Sequence, residues 1–189
     1  MIGNLCSRAR GQSVAVACFS FDFAVQKEQS PTSMSGAVLN QVVSGMEEVP
    51  EAIVQDYADQ KEVLSGRRPL LSDIVRMLQT AASKKRTFLC LDALDECVAG
   101  DRVKILNSLG QILQSSSSTR IFVTGRPHIR AEIENRLSGR VTTIFITPRR
   151  DDVIIFLRSR LAEDTTPDAM DSSLEADILK KIPEDISEM

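Results

Sequence analysis

Three carboxylates occur together at the end of an apolar run. The run reads FLCLDALDEC over residues 88–97, and its acids are Asp92, Asp95 and Glu96. An isolated carboxylate is costly to bury, so we expect these acids to face a cation, a cationic side chain or water. Mg²⁺ carried on a nucleotide fits, because it needs only one or two protein carboxylates. A second acid nearby could orient or deprotonate an attacking water.

Four short runs rich in Val, Ile, Phe and Thr must position these acids. The predicted strands cover residues 14–21, 87–94, 120–125 and 142–148. Several are apolar on both faces, which is typical of a parallel sheet covered by helices. Ligands of such sheets bind beyond the carboxyl ends of the strands, and the three acids lie at one of these ends. We therefore expect an α/β fold with a parallel sheet and helices on both faces.

Helical periodicity fills the segments between and after the strands. We expect each apolar stripe to pack against the core rather than to bind a cofactor. The last stripe follows Asp151 and Asp152, which suit the positive N-terminus of a helix. The four stripes begin at Val38, Leu71, Val103 and Val153.

Composition limits the class of protein. The chain has 189 residues, of which 42% are hydrophobic and 26% charged, and its net charge is −3. This predicts a folded globular protein and gives no reason to expect binding to nucleic acid or to an anionic membrane. No apolar run reaches the roughly 18–20 residues of a membrane span. Four cysteines without a C-x-x-C pair, and a single histidine, argue against a zinc site and predict a cytoplasmic protein with reduced thiols.

The acidic strand end also resembles a known motif. In FLCLDALDE a small residue follows the first aspartate, and further acids come three and four positions after it. This pattern resembles the Walker B motif of P-loop NTPases in its NACHT form. By this resemblance Asp92 is the acid linked to Mg²⁺, and Asp95 and Glu96 are catalytic acids that position water. The alternative is a solvated strand end with three ordinary surface acids.

A second motif follows on the next predicted strand. RIFVTGRP resembles the strand of the same family that ends in a Thr-Ser-Arg-Pro-like sequence, called sensor 1, with Gly125 in place of the serine. The resemblance places Arg126 near the γ-phosphate of the nucleotide, where its planar fork of donors suits phosphate oxygens. Alternatively Arg126 pairs with one of the strand-end acids, and the two roles are compatible. We interpret His128 as a loop residue.

The order of the segments extends the resemblance over nearly the whole chain. Residues 14–23 resemble the strand after the Walker A helix, and residues 147–161 resemble the junction to a helical domain. The chain is similar to NACHT-type STAND NTPases, close to the fungal nephrocystin-3-like N-terminal domain. The resemblance implies a remnant of the first helix or a linker at 1–13, a partial P-loop NTPase core at 14–148 and the start of a helical extension at 149–189.

The phosphate-binding loop of that family does not occur in the sequence. The loop reads G-x-x-x-x-G-K-[S/T], and none of the nine glycines is followed by lysine. We therefore expect a chain truncated before or within the Walker A region, without the first strand of a three-layer P-loop NTPase-like fold. Residues 142–148 would then either close in beside residues 120–125 or leave a gap in the sheet.

Three functions remain open. The resemblance implies part of a nucleotide-binding switch module with Mg²⁺ and ATP or GTP, which is not expected to bind or hydrolyse nucleotide efficiently alone without Walker A. The second is a non-catalytic remnant or interaction module that associates with NACHT-domain partners or with itself. The third is a metal-dependent nuclease. It would need a basic substrate track, whereas the basic residues near Arg67 and Lys84 are scattered.

Overall fold

A computed structural model of the chain describes residues 14–63, 69–137, 141–163 and 172–187. The chain divides into two compact units, Met1–Val141 and Thr142–Met189. The predicted helix remnant or linker at 1–13, and with it the predicted truncation, lies outside the described residues.

The first unit is built on a three-stranded parallel sheet. Its strands are β1 (Val14–Ser20), β2 (Arg86–Asp92) and β3 (Arg120–Val123), in the order β1-β2-β3. Ser20 lies opposite Asp92 and Leu91 lies opposite Val123, so the carboxyl ends of all three strands meet at one edge. The predicted α/β fold with a parallel sheet is confirmed, and the bounds of these strands were predicted to within two residues.

Helices of the first unit carry most of its core. Ser30 opens the first helix, because its hydroxyl accepts a hydrogen bond from Ser33 N at 3.1 Å and a proline follows it. Three of the predicted apolar stripes are buried, and they lie on the first, third and fourth helices. The helices described in this unit are α1 (Pro31–Ser44), α2 (Glu51–Val63), α3 (Leu71–Lys84), α4 (Ala99–Ser115) and α5 (Arg130–Arg136).

The regular secondary structure described in the second unit is helical. It contains α6 (Arg150–Ala162) and α7 (Ser172–Ser187), which pack against each other. Asp151 and Asp152 lie in the first turn of α6, as predicted. The stripe on α6 is only half-buried. In the described ranges, no helix has the length and apolar character needed to cross a membrane.

The prediction of a fourth strand was wrong. Residues 142–148 form neither a strand nor a helix, and the described sheet ends at β3. The prediction rested on the β-branched and aromatic residues of TTIFITP. Such residues favour a strand only where a neighbouring strand and a packed face are available. The composition of the segment therefore did not decide its structure.

Candidate functional site

Asp92 lies at the carboxyl edge of the sheet and is held from both neighbouring strands. Ser20, the last residue of β1, donates a hydrogen bond from Oγ to Asp92 Oδ2 at 3.1 Å. Thr124, just after β3, donates from Oγ1 to Asp92 Oδ1 at 2.5 Å. Both of these residues are exposed. The two hydroxyls therefore fix the orientation of a carboxylate at an edge that is open to solvent.

The chain turns sharply after Asp92. Ala93 adopts a left-handed conformation, with φ 54° and ψ 43°. Thr124 stabilises this turn, because its Oγ1 accepts a hydrogen bond from Ala93 N at 2.9 Å and its carbonyl accepts one from Leu94 N at 3.0 Å. Left-handed backbone costs an L-residue roughly 1–2 kcal/mol. The small residue after the first acid of the motif thus has a conformational reason.

Asp95 faces Arg126 rather than open solvent. Its side chain is 6% exposed. Asp95 Oδ1 accepts a hydrogen bond from Arg126 N at 3.2 Å, and Oδ2 lies 3.4 Å from Arg126 Nε. The ion pair weighed as an alternative role for Arg126 is therefore present. The guanidinium itself is mostly exposed, so this contact orients it while leaving donors that face solvent.

Gly125 allows this close contact. A Cβ at position 125 would lie 2.7 Å from Ile129 Cδ1 and 3.3 Å from Asp95 Oδ1. Ile129 is buried, and a packed interior leaves its side chain little room to move. The close approach explains a glycine at the position where the resemblance predicts a serine.

Replacing Gly125 with serine is expected to lower the free energy of unfolding by about 1–2 kcal/mol, since overpacking forces Ile129 or Asp95 to shift. Urea denaturation followed by circular dichroism measures the change. Gly100→Ser is the control, because a Cβ at Gly100 meets nothing within 4 Å. Equal stabilities of the two variants would contradict the packing argument.

Glu96 connects the turn after β2 to the turn after β1. Its Oε2 accepts a hydrogen bond from Phe23 N at 3.0 Å, and its carbonyl accepts one from the Gln26 side chain. Within the described residues its second carboxylate oxygen, Oε1, accepts no hydrogen bond. Glu96 is half-buried. Oε2 of this carboxylate thus stabilises the fold, and Oε1 remains available to a ligand or water.

Comparison with protein families identifies a matching family. The sequence model described as nephrocystin 3, N-terminal, matches residues 1–126, which is 126 of the 189 residues. The chain belongs to the nephrocystin 3, N-terminal family. The region that matches this family contains all three strands and the strand-end residues from Asp92 to Arg126. No curated protein matches the chain.

Two residues of this site, Ser20 and Thr124, were not predicted from the sequence. Ser20 and Thr124 are the polar residues that end the apolar runs of β1 and β3. That position was a usable signal, because the carboxyl ends of parallel strands meet at one edge. His128 lies exposed on a short 3-10 turn, Pro127–Ile129, in agreement with its interpretation as a loop residue.

The donor set at this edge could supply one carboxylate to a metal ion such as Mg²⁺. Among the described residues, no group of three or more His, Cys, Asp or Glu side chains could hold a metal ion. Asp92 offers a single oriented carboxylate. Mg²⁺ usually keeps several waters and takes one or two carboxylates together with substrate phosphates. Asp92 therefore fits the role of an acid linked to Mg²⁺.

Cys97 lies next to the acids but has no reactive character. Burial raises the pKa of the Cys97 thiol, and the negative charge of Asp101 raises it further. The thiol therefore stays protonated at neutral pH, and a protonated thiol is a poor nucleophile. Cys97 contributes to the core rather than to chemistry at the strand ends.

Proposed function

We propose that this chain carries the Mg²⁺-facing half of a nucleotide-binding switch module of the NACHT-type STAND P-loop NTPases. The observation that carries the proposal is Asp92, a carboxylate at the carboxyl edge of a parallel sheet that is fixed by hydroxyls from both neighbouring strands. The family of the chain and the Walker B-like spacing support it. In this proposal residues 14–148 belong to a three-layer core, and a helical extension begins at 149.

Each strand-end residue has its own role in the proposal. Asp92 holds Mg²⁺, which when bound neutralises charge on the nucleotide's phosphates. Arg126 contacts the γ-phosphate through its exposed guanidinium. Glu96 orients water with its unengaged oxygen. Asp95 was predicted to share that role, but its burial and its contacts with Arg126 favour positioning of the arginine instead.

The second candidate is a non-catalytic interaction module. It is favoured by the use of Asp95 and Glu96 as acceptors for the backbone N–H groups of Arg126 and Phe23. Such contacts would be retained for the fold even if no nucleotide were bound. In this case the chain would act by association with NACHT-domain partners or with itself.

Replacing Asp92 with alanine separates the two functions. The nucleotide-binding proposal predicts weak binding of Mg·ATP or Mg·GTP by the chain, because the Walker A loop does not occur in the sequence. It also predicts that the variant loses at least about tenfold in affinity, a loss of about 1.4 kcal/mol. Isothermal titration calorimetry measures both nucleotides, with and without EDTA. Asp101→Ala is the control, because Asp101 pairs with Lys104 on α4, and it should bind like the original chain.

Circular dichroism checks that each variant is folded. Absence of binding by the original chain, or equal binding by Asp92→Ala, would favour the interaction module. An equal loss of nucleotide affinity in Asp92→Ala and Asp101→Ala would contradict a specific role for Asp92.

A further inference from the structure

A cavity lies among the first three helices of the first unit. Helices α1 and α2 both pack against α3, and residues from all three line a space of about 1050 Å³. This volume is near the upper end of the roughly 300–1,000 Å³ that small-molecule pockets occupy. Ile53, Ile74 and Met77 line the cavity and are themselves buried. The cavity therefore reaches down to the hydrophobic core.

A glycine of α1 leaves room in the cavity. Gly36 is a lining residue. Among the described residues, a Cβ at position 36 would meet only Ile74 Cδ1 within 4 Å, at 3.9 Å. Glycine costs roughly 0.5–1 kcal/mol relative to alanine inside a helix, so this position gives up helix stability and leaves the space beside Ile74 unfilled.

Helix α2 forms an apolar wall of the cavity. Val54 and Tyr57 line it and are 48% and 61% exposed. An ion pair holds this wall in place, because Arg76 Nε on α3 lies 3.2 Å from Asp56 Oδ2 on α2. The cavity is thus preformed, and its apolar wall would lose contact with water if a ligand filled it.

Polar groups gather at one end of the cavity. Ser30, Thr32 and Ser33 line it at the start of α1, whereas Val43 and Val49 line it near the end of this helix. From Ser33 to Val43 a helix rises by about 15 Å. The lining therefore suits a ligand with an apolar body of about this length and a polar group at one end.

The polar end suits an uncharged group. None of the described lining residues is charged, and a charge buried without a partner is costly. The first turn of α1 also has few free donors for an anion. Ser33 N donates to Ser30 Oγ at 3.1 Å, Met34 N donates to Ser30 O at 2.9 Å, and Pro31 has no N–H. The serine hydroxyls can both donate and accept, which matches a hydroxyl on the ligand.

We propose that this cavity binds an uncharged, chain-like amphiphile that carries a hydroxyl at one end. The apolar chain lies along α1, between Gly36 and the wall formed by Val54 and Tyr57, and the hydroxyl lies at Ser30 and Ser33. Burial of apolar surface drives the binding. The described lining residues include none of the strand-end residues from Asp92 to Arg126, so this binding does not depend on nucleotide.

The chain has a built-in reporter for this site. Tyr57 is its single tyrosine, and the chain has no tryptophan, so tyrosine fluorescence reports on the cavity wall. 1-Dodecanol is titrated into the full chain, and quenching of Tyr57 by iodide should fall and then saturate. Dodecanoate has the same chain length but a charged head, and it should need at least about tenfold higher concentration for the same effect.

Substitutions that fill or charge the cavity test its position, with the uncharged dye N-phenyl-1-naphthylamine as the ligand. Gly36→Leu fills the space beside Ile74, and Val54→Asp places a charge in the apolar wall. Each should weaken dye binding at least about tenfold. The matched controls are Gly100→Leu, where a Cβ meets nothing within 4 Å, and Val98→Asp, where the valine is also 48% exposed. Both controls should bind one dye per chain like the original.

Asp92→Ala should also bind the dye unchanged, which separates this site from the proposed nucleotide site. If Gly36→Leu is unfolded by circular dichroism, Val54→Asp and its control decide the question. The proposal would be overturned by an original chain without saturable dye binding, or by dodecanol binding that leaves the quenching of Tyr57 unchanged. Equal effects of dodecanoate and dodecanol, or equal losses in the cavity variants and their controls, would overturn it as well.

Discussion

Leu94→Ala is expected to lower the free energy of unfolding by about 3 kcal/mol. Leu94 is 0% exposed and lies in the hydrophobic core. Truncation removes buried apolar surface and leaves a cavity that the packed neighbours fill only in part. Leu94 also begins the 3-10 turn that carries Asp95 and Glu96. The substitution should therefore loosen the acidic strand end together with the core.

Chemical denaturation in urea, monitored by far-ultraviolet circular dichroism, measures this loss. Leu70→Ala is the matched control, because it makes the same substitution at a side chain that is 62% exposed. Surface substitutions usually change stability by no more than about 0.5 kcal/mol. Similar losses in the two variants would contradict the placement of Leu94 in the core.

Ala93→Val is expected to destabilise the chain by about 2 kcal/mol, and Ala93→Gly to leave stability within about 1 kcal/mol of the original. The reason is the φ of 54° at Ala93. A β-branched residue is a genuine outlier in this region, whereas glycine enters it without a steric cost. Valine should also push the turn away from Thr124, which accepts the Ala93 N–H.

At Ala93 the glycine variant should be more stable than the valine variant. At an alanine within a helix, the valine variant should be the more stable of the two. Ala58 is an exposed residue in the interior of α2, and there glycine should be the worse substitution, at about 1 kcal/mol below alanine. Thermal unfolding of all four variants, followed by circular dichroism, measures the relative stability of the glycine and valine variants at each position. Glycine worse than valine at position 93 would exclude the left-handed turn after Asp92.

Hydrophobic patterns in the sequence predicted the strands of the sheet and the helices that carry an apolar stripe. The apolar runs of β1, β2 and β3 were visible because strands buried in a parallel sheet are apolar along their length. Helix α2 was not predicted, since Ile53 is its one described buried side chain and no apolar stripe forms. Helix α5 was also not predicted, and at seven residues it is too short to show a helical period.

The position of the candidate site could also be predicted, but its internal contacts could not. The three acids mark the end of β2 in the sequence. The hydroxyls that hold Asp92 come from Ser20 and Thr124, which are 72 and 32 residues away along the chain. Hydrogen bonds at such separations depend on strand order and register, which a local pattern does not contain.

The sequence by itself determined the α/β class, the three strands of the sheet and the place where the acids gather, because these follow from periodicity and from the cost of burying a charge. Only the tertiary structure decided what each acid faces. Packing pairs Asp95 with Arg126, and one carboxylate oxygen of Glu96 accepts a hydrogen bond from Phe23 N. It also decided that residues 142–148 are not a strand, since β propensity depends on the surroundings of a segment as well as on its composition.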